Sequence, residues 1–228
     1  MFFDWDWSTA EREFTRAIQL NPNSALSRRR YGELLQALGR FDEAIAEGKR
    51  AQELDPLSPD VLDQLAYVYM LTRKYGESIS QYQKVLDLNP NLPSMRAGLA
   101  FVYALKGSCQ QAIPEYDKIG EDARVVTAEN QVMVSLGAYV HALCGRKADA
   151  VIAARQLAAL SSHTYVDFYG LAFIYAGLSN RDESFRWLEK AYQQRSPGLV
   201  YLAVDPFWYG LRSDPRYADL LRRVGLPQ

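Results

Sequence analysis

Six small residues, Ala10, Ala44, Ser78, Ala112, Ala150 and Ser184, recur at spacings of 34, 34, 34, 38 and 34 residues, each inside a stretch of helical character. A period of this length predicts stacked helical hairpins. A second column, Gly32, Ala66, Ala100, Ala138 and Ala172, follows the same spacing, and a third places proline at Pro22, Pro56 and Pro90. In each unit a small residue midway along the first helix (A) faces one near the start of the second (B). The two axes can then approach where larger side chains would clash. Tyr69, Tyr103 and Tyr175 in helices A, with Phe14, Tyr82, Tyr116 and Leu188 in helices B, fill the space around that contact. Proline cannot continue a helix and biases its predecessor away from the α region, so Asn21, Asp55 and Asn89 become exit points.

These columns resemble the tetratricopeptide repeat (TPR), a 34-residue helix-turn-helix unit. The resemblance implies an all-α fold, a right-handed superhelical solenoid closed by a C-terminal helical cap. It divides one domain, 1–228, into a half repeat at 1–24, repeats at 25–58, 59–92, 93–130, 131–164 and 165–198, and a cap at 199–228. The repeat serves many unrelated partners, so it speaks to fold more than to function.

Composition narrows the function classes. The formal net charge of −1 lacks the basic footprint that phosphate backbones demand, which argues against nucleic acid, and Arg28 to Arg30 read as a solvated helix face. The longest uncharged run, Asn130 to Gly145, is too short and polar to span a bilayer. Met1 to Trp7 lacks the basic and apolar regions of a signal peptide, so a cytoplasmic location is the default. In that setting Cys109 and Cys144, at the A-to-B turns of adjacent repeats, are expected as free thiols. His141 and His163 have no ligand-spaced companions, so neither metal nor cofactor is expected. There is no phosphate-cradling glycine loop, nucleophile elbow or zinc-hydrolase helix, and the chain reads as non-enzymatic. The acidic pairs Asp42-Glu43 and Asp182-Glu183 are expected to complement helix N-termini.

Irregular stretches carry further expectations. Ala10 belongs to a helix B capped by Ser8 or Thr9, and its helix A is absent. The chain start therefore looks like a piece of a longer protein. Either Phe2, Phe3, Trp5 and Trp7 fold over the exposed side of that helix around Phe14 and Ile18, or a second copy covers it as a homodimer through the N-terminal edge. Pro114 inside a helix B predicts a kink, with four extra residues following near Gly120-Glu121-Asp122. Gly48, in a column of bulkier residues, predicts close packing against a neighbouring ring. The tail holds two Asp-Pro pairs, Asp205-Pro206 and Asp214-Pro215, each an N-cap followed by proline at the first helical position. Two short helices should cover the last hairpin. This end also resembles the C-termini of bacterial multidomain signalling proteins, whose TPR arrays follow a transcription regulator, cyclase or kinase.

The family resemblance places helices A along a concave groove. Repeat position 9 holds Tyr67, Phe101, Tyr139 and Phe173, an aromatic ladder, and position 12 holds Met70 and then alanines that would leave the rings accessible. These rings either form a groove for a peptide or protein partner or pack between neighbouring helices. The carboxylate clamp known in the family, which holds acidic chaperone C-termini, is missing from the corresponding positions, among them Arg29, Glu33, Asp60, Asp63, Gln64, Ala97 and Gly98. The leading function is a protein-binding scaffold. The alternatives are a regulatory C-terminal arm of a truncated or split bacterial signalling protein and a self-associating assembly module.

Overall fold

The computed structural model describes residues 5–226. Eleven repeat helices form one single helix and five hairpins: α1 (Trp7–Leu20), α2 (Ala25–Ala37) with α3 (Phe41–Leu54), α4 (Pro59–Leu71) with α5 (Tyr75–Leu88), α6 (Pro93–Leu105) with α7 (Cys109–Asp117), α9 (Gln131–Leu143) with α10 (Lys147–Leu160), and α11 (Phe168–Gly177) with α12 (Arg181–Gln193). A one-turn helix, α8 (Glu121–Arg124), occupies the insertion. Two 3₁₀ turns, Pro197–Tyr201 and Pro206–Trp208, and α13 (Pro215–Val224) complete the chain, with no strand among the described residues.

The small columns meet as their spacing requires. Ala44, Ser78, Ala112, Ala150, Ser184, Ala66, Ala100 and Ala172 are fully buried, and Ser78 Oγ donates to the Ala66 carbonyl at 2.8 Å across its hairpin. Each A-to-B turn passes through a residue with positive φ, a glycine at Gly39, Gly107 and Gly145 and Arg73 or Ser179 elsewhere. One turn geometry thus repeats along the array, and successive helices A line up side by side.

Three local expectations change. Helix α1 starts earlier than Ser8 suggests, because Asp6 is the N-cap and its carboxylate accepts from the Thr9 N–H at 3.1 Å. Gly48 does make room for a close neighbour, but that neighbour is the Gln64 amide with Leu65: a Cβ at Gly48 would stand 2.7 Å from Gln64 Oε1. Helix α7 contains Pro114 and stops at Asp117 after nine residues, against fourteen in α3 and α5.

The free-thiol expectation is overturned. Cys109 and Cys144 form a disulfide, their Cα atoms 5.5 Å apart. Residues at the same turn of adjacent stacked hairpins fall inside the range a disulfide can bridge, and that local geometry outranks an inference from composition.

The N-terminal aromatics also go elsewhere. Phe2 and Phe3 lie outside the described residues. Trp5 stacks on Tyr192 of α12 with ring centroids 5.6 Å apart, under the Arg195 guanidinium, and Trp7 lies against Gly225 at the end of α13. On α1 itself Phe14 and Ile18 are half-buried. The first helix of the array thus touches the last elements of the chain.

Candidate functional site

The five residues placed in the groove by the sequence do lie on helices A, but the tail reaches them first. After α12 the chain turns back at Ser196, whose hydroxyl donates to the Asp167 carboxylate, and enters the concave face as the Pro197–Tyr201 turn. At Gly198 this turn comes so close to α11 that a Cβ would meet Tyr169 Cδ1 at 2.5 Å. The chain continues to Val204, beside Gly39 of the first full repeat, and comes back over the ladder as Pro206–Trp208.

Phe207 roofs the ladder. Its ring stacks on Phe173 at 4.3 Å and on Phe101 at 5.2 Å, and meets Tyr139 edge-on at 4.9 Å. Phe101–Tyr139 and Tyr139–Phe173 are themselves edge-to-face, at 5.8 and 6.0 Å. Such geometries suit the ring quadrupoles and add ~0.5–1.5 kcal/mol per pair beyond area burial. Phe101, Tyr139, Phe173 and Met70 are consequently buried, with Phe101 only 2% exposed. The alanines at position 12 left room for Phe207, so the rings are not open to solvent as the sequence suggested.

Asp205 pins the tail. It is 1% exposed, and its two carboxylate oxygens accept from Tyr67 Oη and, at 2.5 Å, from Tyr169 Oη. Trp208 Nε1 donates to the same Tyr169 oxygen at 2.8 Å, making a continuous chain from indole to phenol to carboxylate. Burial pushes the Asp205 carboxyl up to about 7, against the opposing pull of the two tyrosine hydrogen bonds. It also drives both phenols well above their ordinary range, so they remain donors. The Asp-Pro pair at 205–206 therefore precedes a short helix, as the sequence suggests, but its carboxylate makes no capping bond. Asp214, in the second pair, does cap, accepting from the Arg216 N–H at 3.0 Å.

Beyond Asp205 the concave face stays open as a cavity of about 410 Å³ between α2 and α4 on one side and α9, α11 and the tail on the other. Tyr67 and Phe173, two of the five groove residues, line it; Met70, Phe101 and Tyr139 do not. Tyr201, edge-on to Tyr67 at 5.9 Å, adds a ring from the tail. Four carboxylates, Glu33, Asp63, Asp167 and Asp205, contribute to the lining, and among the described residues no lysine, arginine or histidine does. Burial raises the Asp63 carboxyl to about 6, with the Tyr82 hydroxyl bond opposing it. The part played by the tail was hidden from sequence reasoning because residues 199–228 break the period. The signal available was local: Asp205, Phe207 and Trp208 within four residues is a dense polar-aromatic cluster for an exposed cap.

Two family models, each described as tetratricopeptide repeat, match residues 6–59 and 59–92. No curated protein matches the sequence. Among solved structures, a tetratricopeptide repeat protein from Parabacteroides merdae superposes with a TM-score of 0.55 at 15% identity, over 96% of this chain and 86% of its own. A thermophilic TPR protein from Thermus thermophilus gives 0.58 at 23%, over 87% of this chain and 100% of its own. The APC/C hetero-tetramer Cut9–Hcn1 gives 0.62 at 12%, over 98% of this chain but 47% of that one. At these identities the likeness is one of fold. The family matches identify tetratricopeptide repeats over residues 6–92, and the same hairpin stacking continues through α12.

Proposed function

We propose that this protein is a non-enzymatic interaction scaffold that receives a peptide segment of a partner protein in the part of the concave face left open by its own tail. The observation that carries this reading is the cavity beside Asp205, walled by Tyr67 and Tyr201 on elements held rigid by the solenoid and the buried tail. A preformed pocket of this size lies within the range of ligand sites, ~300–1,000 Å³. It also spares the cost of ordering a loop on binding. Tetratricopeptide repeats generally act as scaffolds, which fits the absence of a catalytic motif in the sequence.

Val132 lines this cavity and is 62% exposed, which makes it a suitable reporter. With a photo-crosslinking benzoylphenylalanine at Val132, the partner should be captured in cells, and the same probe at Leu88, exposed on the outer helix α5, should capture little. Capture from Leu88 alone would place the interaction surface on the outer helices and refute the reading.

A further inference from the structure

Resting on that reading, we propose that the cavity receives an arginine side chain carried by the partner peptide. The argument is one of charge and shape. The lining combines four carboxylates with the rings of Tyr67, Tyr169, Phe173, Tyr201 and Phe207, and among the described residues no cation contributes to it. Three of the carboxylates are already engaged. Glu33 accepts from Arg29 at 2.5 Å and Arg30 at 2.9 Å, Asp167 from the Tyr169 N–H at 2.9 Å and the Ser196 hydroxyl, and Asp205 from two tyrosines.

Asp63 is different. It is half-buried, beside the Tyr82 hydroxyl and near enough to the Arg29 guanidinium to feel its charge. It stands one helical turn before Tyr67, so carboxylate and ring share a face of α4. A planar guanidinium can lie on an aromatic face and present paired N–H donors to a carboxylate, which an ammonium cannot do equally well. An acidic side chain would bring like charge to a lining whose ionisable groups, among the described residues, are carboxylates and tyrosines. A purely apolar one would desolvate the carboxylates without replacing their hydrogen bonds.

The test uses the full chain and a set of fluorescent hexapeptides that differ at one position: arginine, its neutral isostere citrulline, lysine, leucine or glutamate. Binding is read by anisotropy and located by loss of Val132 crosslinking. Arginine peptides should bind at least tenfold more tightly than their citrulline counterparts, with the advantage shrinking as salt rises. Asp63→Asn, confirmed folded by circular dichroism, should erase most of it. Equal binding of the arginine and citrulline peptides at the Val132 site would overturn the cation assignment and leave the groove reading standing. Preference for glutamate or leucine would do the same. Failure of every peptide to reach the site also overturns the assignment, and Leu88-only capture separately removes the groove reading. The arginine-to-citrulline comparison needs no variant, so the proposal stays testable if Asp63→Asn does not fold.

Discussion

Asp205 shows how one residue can escape a local reading. Its sequence neighbours predict a helix cap, and the two hydroxyls it accepts come from residues 138 and 36 positions away, which no window on the sequence contains. Its raised carboxyl also has a thermodynamic consequence. In the unfolded chain the group releases its proton near 3.8, whereas in the fold it holds it up to about 7. The folded state therefore binds more protons between those values, so the contribution is fully present below pH 4 and is lost as pH rises through 7. Asp63, raised to about 6, works in the same direction. Melting temperature measured from pH 4 to 8 should carry this downward component in the wild type and show it clearly reduced in Asp205→Asn, with the share from Asp63 remaining. An unchanged pH profile in the variant would mean that Asp205 is not the titrating group. The ladder residues behave likewise as core: replacing Phe101 and Tyr139 together by serine should cost several kcal/mol of stability, in the range of aromatic core truncation, and denaturant melts would show it before any binding assay does.

Among elements, legibility follows the period. The hairpins could be read because small residues repeat where two helix axes must approach, a constraint that acts within one unit and reappears in the next. The stretch from α7 to α9 departs from that rule and is held differently. Helix α7 carries Pro114 and ends at Asp117, four additional residues form α8, and the Cys109–Cys144 disulfide ties the start of α7 to the turn after α9. Closing a loop with a sequence separation of 35 residues restricts the unfolded chain. Its removal by Cys109→Ser with Cys144→Ser, or by reductant, should cost about 2–4 kcal/mol. Urea melts with and without reductant would measure this, and identical midpoints would show that the bridge does not form in solution. The spacing already put both cysteines at adjacent A-to-B turns; the pairing was missed because the default of a cytoplasmic chain argued for free thiols.

At the scale of the molecule, a repeat array is ordinarily quasi-one-dimensional, each unit touching its neighbours. Here the tail couples distant units: Val204 lies beside Gly39, Phe207 spans the helices carrying Phe101, Tyr139 and Phe173, and Trp5 stacks on Tyr192. Unfolding should accordingly be more cooperative than in an open array. Gly198→Val tests this, because any side chain there collides with Tyr169. The variant should bind the dye ANS through the uncovered rings and melt over a broader range, while a wild-type-like melt with no dye binding would mean that the turn can shift aside. The same arrangement imposes an order on biosynthesis. Phe101 leaves the ribosome 106 residues ahead of Phe207, a lag of roughly 5–20 s at ordinary elongation rates. Within that interval Phe101, then Tyr139 and Phe173 as they follow, emerge without their roof, and it is then that a chaperone has most to offer.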